Sequence, residues 1–524
     1  MIRRAGILVP LFSCCSTASW GVGDIGDIAP LAAWLASAGV SVLQLLPLNE
    51  MAPDDQSPYS AISAMAIDPI YLRVPDVPEF EAIGGAAALT ADNRARLDRA
   101  RRSPRVDYAA VRSLKYAALR ASFDRFYDVE WTAASNRAGA LRAFVREQAW
   151  WLDEYSLFRA IHAREQERSW IDWPEDLRRR DAAALDRARA DVARDVLFYQ
   201  YVQWIAATQW AAARQTARQT TPGVRLFGDQ PFMVNSDSAD VWADQTQFSL
   251  DITIGAPPDA FSATGQDWGL PLYRWDAIAA DDFRWPRARA RRIADLFDGY
   301  RIDHLVGFYR TYGNPKDGRA PFFTPADEPS QLALGERLLA IFREPGSDII
   351  AEDLGTVPDF VRASLKRLGV PGFRVLRWER HWHTEGQPFR DPRDYPAISV
   401  ATSGTHDTEP LIVWWEQLSD EDREQVSRLP TLQRMANGAD LARAPLDRVR
   451  DALLESLFAS ASNLLLLPVQ DVFGWRDRIN IPATVDDRNW TYRLPWPVDR
   501  LDEIPEARDA QRRLRQWAAR YDRA

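Results

Sequence analysis

Cysteine is scarce in this chain: its 524 residues hold two, Cys14 and Cys15, side by side. Adjacent thiols make neither a disulfide framework nor a zinc-ligand set, and a reducing cytoplasm is the compartment they suggest. Basic charge is not in excess either. Lys and Arg number 65 against 74 Asp and Glu, a net charge of −9. Without a basic face to neutralise phosphates, nucleic acid is excluded as the main partner. No apolar run approaches the roughly 20 residues of a membrane helix, so no membrane partner is expected. Met1 to Pro10 joins an Arg-Arg pair to an apolar run too short for a signal-peptide core, and Ser, Trp and Gly-Asp turns follow at once. Fixed-period repeats and low-complexity tracts are absent. A 46% hydrophobic and 27% charged composition leaves an ordinary folded globular protein with nothing suggesting disorder.

The stretch Tyr300-Arg301-Ile302-Asp303-His304 organises the rest. Ile293, Leu296 and Phe297 precede it at helical spacing and Gly299 reads as the helix stop, so a strand is expected from Tyr300 to Phe308. Buried parallel strands are normally continuous apolar runs, so three charged or polar residues at one exit need a polar pocket to receive them. Such pockets lie at the carboxyl ends of α/β strands. A structural ion pair would also account for this stretch taken alone.

Seven more strands are expected: Gly6–Phe12, Val40–Leu48, Val224–Phe232, Asp348–Leu354, Gly372–Trp378, Ile398–Thr402 and Asn463–Phe473. Between the first two, Asp27 reads as a helix cap with Gly39 as the stop, giving a parallel crossover unit. Helix-separated strands in this number imply a (β/α)8 barrel spanning residues 1–524. Residues 75–220, rich in Ala and Arg at helical spacing, read as a helical insertion. Residues 233–285, dense in Gly, Pro and aromatics, read as a smaller loop-rich insertion near the mouth of the strands.

Carboxylates then stand at the exits of three strands: Asp303 on the fourth, Glu352 on the fifth and Asp407 on the seventh. A barrel gathers these exits on one rim. Retaining glycosidases and transglycosidases need two carboxyl groups about 5–5.5 Å apart, one to attack the anomeric carbon and one to protonate the leaving oxygen. Metal binding is the rival use of clustered acids, but Arg301 would repel a cation and the acid–histidine pairs lack a metal-ligand spacing, so no metal is expected.

Several motifs together are similar to the 4-alpha-glucanotransferases of the amylomaltase or disproportionating-enzyme type, relatives of the alpha-amylase superfamily. They are Ser57-Pro58-Tyr59, Gly228-Asp229-Gln230-Pro231-Phe232, Asp237-Ser238-Ala239-Asp240-Val241-Trp242, the run from Gly255 through Trp268-Gly269, Arg301-Ile302-Asp303-His304, Ala351-Glu352-Asp353-Leu354-Gly355 and Gly404-Thr405-His406-Asp407. The resemblance covers nearly the whole chain. It implies Asp303 as nucleophile, Glu352 as general acid/base and Asp407 as transition-state stabiliser. It further implies Asp229, Arg301, His304 and His406 around the reacting glucose, Tyr59 against a sugar, and the loop carrying Phe261 and Trp268 beside the acceptor. Malto-oligosaccharides and starch- or glycogen-derived α-1,4-glucans would be the substrates, with no organic cofactor and no C-terminal β-sandwich. Two segments depart from the family pattern. The first strand leads into Leu11-Phe12-Ser13 and the two cysteines, and Thr408-Glu409-Pro410 follows Asp407. A hydrolase sharing the same acids, or a non-catalytic maltodextrin-binding protein on the same barrel, are the competing readings.

Overall fold

Runs such as Leu464-Leu465-Leu466-Leu467 can be buried on both faces only in a sheet covered on both sides. A computed structural model, which describes residues 3–258, 265–482, 484 and 486–523, provides that setting. Its strands are β1 (Arg4–Leu8), β2 (Val42–Gln44), β3 (Arg225–Gln230), β4 (Phe248–Ala256), β5 (Gln266–Tyr273), β6 (Gly299–Ile302), β7 (Thr311–Pro315), β8 (Phe322–Thr324), β9 (Asp348–Ala351), β10 (Gly372–Val375), β11 (Ser399–Thr402) and β12 (Leu464–Pro468). β1, β2, β3, β6, β9, β10, β11 and β12 pair in that order, all parallel, and β12 returns to β1 to close an eight-stranded barrel. This is the expected (β/α)8 architecture.

Alternation along each strand separates two cores. Val42, Phe227, Ile350, Phe373, Val375, Val400, Leu464 and Leu466 cluster with one another inside the barrel. Their strand neighbours Leu43, Leu226, Ile302, Ala351, Ala401 and Leu465 belong to the larger core under the helices. Tyr300 points the same outward way, its hydroxyl donating to the Phe342 carbonyl at 2.7 Å.

Expected strand lengths needed correction at their exits. β6 pairs only as far as Ile302, and Val306–Tyr309 is a short helix; β12 stops at Pro468, and Val469–Phe473 is helical. A continuous apolar run does not by itself distinguish strand from buried helix. Gly299 is not a helix stop. The helix Arg284–Leu296 has already ended at Phe297, and Gly299 opens β6 because a Cβ there would lie 2.6 Å from the Phe227 ring. Asp27 does stand at the N-cap of the helix Ile28–Ser37, but its side chain makes no capping bond to that helix and accepts from the Asp24 backbone N–H at 2.9 Å. That carboxylate pairs instead with Arg73.

Between β2 and β3, the helices Ala91–Arg102, Tyr108–Phe126, Asn136–Arg164, Ala182–Asp191 and Ala193–Gln219 fill most of the segment expected to be helical. The last lies against the barrel. Gln203 exchanges hydrogen bonds of 3.0 and 2.8 Å with the Ile67 backbone, and Trp210 Nε1 donates to the Leu296 carbonyl at 2.8 Å. The 233–285 segment is less loop-rich than expected. It contributes β4 and β5 to a four-stranded antiparallel sheet, order β5-β4-β7-β8. Its glycine and proline content hid this pairing: Gly255 lets the Gln266 carbonyl approach where a Cβ would sit 1.8 Å away, and Pro271 is tolerated because β5 is an edge strand. After β12 the described residues form helices, ending with Pro505–Arg520, and no β-sandwich. Among the described residues no helix is long and apolar enough to cross a membrane.

Candidate active site

Strand register assembles the site. β3 and β6 place Asp229 opposite Arg301, and β6 and β9 place Ile302 opposite Ala351. Paired strands lie about 4.7–4.9 Å apart, so the next residue of each, Asp303 and Glu352, leaves the barrel beside the other. Arg301 and Asp303 are two apart and share the inner face. Arg301 is buried, and its Nη1 donates to both Asp229 carboxylate oxygens at 2.8 Å while Nη2 lies 2.8 Å from Asp303 Oδ1. A guanidinium keeps its charge at any physiological pH, so one planar fork orients two acids.

Glu352 is held differently. Its Oε2 accepts from the His304 backbone N–H and its Oε1 from that of Leu354, both at 2.9 Å. Burial lifts its pKa to about 7, with Arg301 opposing the shift and Asp303 adding to it. His304 can aim its N–H there because its backbone is left-handed, φ +44°, uncommon outside glycine but more accessible to His, Asn and Asp. Its ring meets Trp268 edge-on at 4.8 Å and Phe232 at 5.5 Å. Burial drops the imidazole to about 4, leaving it neutral at neutral pH, with Asp303 opposing.

Asp407 stands beyond the end of β11, on a turn from Ser403. Its Oδ1 accepts from Asn480 Nδ2 at 2.6 Å, and His406 Nε2 lies 3.3 Å from Oδ2. Burial works against ionisation here too, but His406, Asn480 and Arg301 outweigh it and bring the carboxyl to about 2. Tyr59 links this corner to the rest. Its ring stacks on His406 at 5.3 Å and 20° and lies 5.6 Å from Trp490, while its hydroxyl donates to Asp229 Oδ2 at 2.8 Å. A cavity of about 310 Å³ opens beside Asp303, with Tyr59, Phe232, Ile254, Trp268 and Leu270 as its apolar walls and Asp55, Ser57 and Ser60 as polar ones.

Direct contacts therefore join Asp229, Arg301, Asp303, Glu352, His304 and Trp268, and the Tyr59–Asp229 bond brings in His406 and Asp407. Phe261 lies outside the described residues. Among those described, no group of three His, Cys, Asp or Glu side chains is placed to hold a metal ion.

A profile of the 4-alpha-glucanotransferase family matches residues 9–499. The chain belongs to this family. The 4-alpha-glucanotransferase of Thermus thermophilus is 33% identical over 488 residues, covering 91% of this chain and 92% of the relative. That of Chlamydia pneumoniae is 31% identical over 506 residues, covering 95% and 92%. The chloroplastic/amyloplastic enzyme of Solanum tuberosum is 31% identical over 537 residues, covering 97% and 85%. Among solved structures, amylomaltase from Streptococcus agalactiae matches with a TM-score of 0.84 over 100% of both chains at 24% identity, a likeness of fold.

Three residues of this 4-alpha-glucanotransferase site were not among the candidates read from sequence. Asn480 holds the Asp407 carboxylate, Arg478 Nη2 donates to the Asp407 carbonyl at 2.6 Å, and Trp490 packs on Tyr59 and His406. All follow β12, past the acid at its exit, Asp471, which is buried and accepts from the Ser403 hydroxyl and the Leu411 backbone N–H. In sequence the run from Asn480 to Trp490, with Pro482, Thr484 and Asn489, also resembles the family, but that likeness gives none of the three a role.

Proposed function

We propose that this 4-alpha-glucanotransferase moves segments of a (1→4)-α-D-glucan to the 4-hydroxyl of an acceptor glucose or glucan by a retaining double displacement. The observation that carries the mechanism is the contrast between neighbouring carboxyl groups: burial lifts Glu352 to about 7, so a large share keeps its proton at neutral pH, while Asp303 is ion-paired to Arg301. Such unlike environments suit adjacent acids to different roles. Glu352 gives its proton to the glycosidic oxygen as Asp303 attacks C1, releasing the leaving chain with a free 4-hydroxyl and forming a glycosyl ester. The Glu352 carboxylate then takes the proton of the acceptor 4-hydroxyl, whose oxygen attacks C1 and displaces Asp303. Asp407, kept ionised, stabilises positive charge developing on the sugar ring.

Asp229, Arg301, His304 and His406 surround the reacting glucose in this reading, with Tyr59 and Trp268 on its flanks. Malto-oligosaccharides and starch- or glycogen-derived glucans are the substrates, and the cytoplasm is the compartment. Transfer must outrun hydrolysis, which requires an acceptor held close and water partly excluded. The apolar walls beside Asp303 support that. Incubation with maltotriose tests the proposal: glucose should appear together with chains longer than the donor. Release of shorter products alone would make the enzyme a hydrolase, and no reaction would leave a binding protein.

A further inference from the structure

Asp407 rides on a turn, and that turn is shaped from within but anchored from outside. Thr405 Oγ1 accepts from the Asp407 N–H at 3.2 Å, and Thr408 Oγ1 accepts from the Thr405 N–H at 3.0 Å. Both bonds stay inside the turn and fix nothing to the barrel. In the closed barrel β11 lies between β10 and β12, so a support for its exit has to reach one or both of these neighbours.

Two arginines stand on either side. Arg377, two residues past β10, is buried; its Nε donates to the Ser403 carbonyl at 3.1 Å and its Nη1 to Glu409 Oε1 at 2.7 Å. Arg478, past β12, donates from Nη2 to the Asp407 carbonyl at 2.6 Å and from Nε to the Asn480 carbonyl at 3.2 Å. Its Nη1 lies 3.7 Å from Glu409 Oε2. One carboxylate thus turns an oxygen towards each of two guanidinium groups and closes a strap from β10, across the turn, to the segment after β12. At the far end of that strap Asn480 holds Asp407 Oδ1 at 2.6 Å.

Charge explains why the link is a carboxylate. Burial pushes the Arg377 pKa down, Asp471 and Glu409 oppose the fall, and Arg478 adds to it. A guanidinium keeps its charge even so. Arg377 Nη2 has no acceptor among the described residues, which makes the bond to Glu409 costly to lose. Without Glu409 the two cations would repel each other across the turn, and Arg478 would lose the partner that steers it onto the Asp407 carbonyl.

We propose that Glu409 is a positioning residue of the catalytic centre: by joining Arg377 to Arg478 it fixes where the Asp407 carboxylate stands against the sugar ring. The role of Asp407 rests on the function proposed above. Glu409 acts through Arg478 and the Asp407 main chain and touches no reacting atom.

Glu409→Gln keeps the size of the side chain and removes its charge. On maltotriose it should lose about 10- to 100-fold in kcat, the scale of moving a catalytic group by up to about 1 Å, with KM near wild type. In the Asp407→Asn background the same change should cost nothing further, because no carboxylate is left to place. α-Maltotriosyl fluoride, with its better leaving group, keeps that slow background measurable. A purely structural ion pair would lower the melting temperature and leave kcat per folded molecule intact, and a substrate contact would raise KM instead. Each of those results overturns the proposal, as do losses that multiply in the double variant. If Glu409→Gln does not fold, Glu409→Asp decides by the same readings: it keeps the charge, one methylene short of spanning both arginines, and should show a smaller loss confined to kcat, while wild-type kcat in this variant overturns the proposal. Maltotriose left unreacted by the wild-type chain removes the proposed function and this inference with it; transfer by the wild type beside an unaffected Glu409→Gln removes the inference alone.

Discussion

Two clusters of buried charge in this molecule use the same side chains to different ends. Beneath the helical segment, Arg73 Nε donates to Asp24 at 2.6 Å and its Nη2 reaches Asp27, while Lys115 Nζ donates to the carbonyls of Ile70 and Leu72. Burial there pushes Asp27 up to about 6, Asp24 adding and Arg73 opposing, and brings Lys115 down to about 8. At the barrel mouth, Arg301 orders Asp229 and Asp303 in much the same way, and burial raises Glu352 to about 7. Displaced pKa values therefore do not separate the clusters. Access sets Asp303 and Asp407 apart: the side chains of Asp24 and Asp27 are 1% and 0% exposed, as is Asp229 at 0%, against 26% for Asp303 and 40% for Asp407. A shifted carboxyl group walled in on every side holds the fold, and one facing a cavity can do chemistry.

Removing the acids sharpens this contrast most. Asp303→Asn should cost on the order of 10⁶-fold in kcat, the scale of deleting an enzyme nucleophile. Glu352→Gln should cost roughly 10²–10⁴-fold. Asp27→Asn should leave kcat per folded molecule near wild type. Steady-state assays on maltotriose check all three, and a comparable loss in Asp27→Asn would break the distinction. Next in size, Arg73→Ala strands two buried carboxylates and should lower unfolding stability by about 3–5 kcal/mol in a urea titration, with kcat kept.

The third effect belongs to Glu352 and pH. Turnover should fall as pH rises through about 7, because bond cleavage in the proposed mechanism needs Glu352 protonated. Stability follows the same proton. The folded form holds it more tightly than the unfolded chain, whose value is near 4.5, so this contribution is complete below 4.5 and lost as pH rises through about 7. Glu352→Gln, which does not titrate, should match wild type at acid pH and exceed it above neutrality by up to about 3 kcal/mol. Equal stability of the two at pH 8 would contradict the burial described. The smallest effect concerns access within the mouth: Trp268→Ala should raise the ratio of hydrolysis to transfer by roughly tenfold, or about 1.4 kcal/mol. Reducing ends released against total bonds rearranged give that ratio.

Much of the barrel was legible because its strands are apolar on both faces and its helices separate them. Asp229, Arg301, Asp303 and Glu352 were legible because charge at the exit of such a strand has nowhere else to go. The sheet of β4, β5, β7 and β8 was not, since Gly255, Pro271 and irregular register between β4 and β5 erase the two-residue alternation that marks a strand. The role of Asn480 was unreadable for another reason. Its role is a bond to Asp407 across 73 positions, and neither local pattern nor charge announces such a partner. Tyr59 shows both sides: its rim position was readable, but its stacking on His406 and bond to Asp229 were not.

The pairing of Ile302 with Ala351 also bears on how such a chain can change over generations. Asp303 and Glu352 each follow the last paired residue immediately, so inserting or deleting one residue within β6 or β9 would turn an acid from the axis toward the helices. Point substitution is tolerable along those strands where length variation is not. Asp407 sits beyond the end of β11 on a turn, moored by His406 and Asn480. Thr408-Glu409-Pro410, the stretch read from sequence as unlike the family pattern, lies just past that mooring.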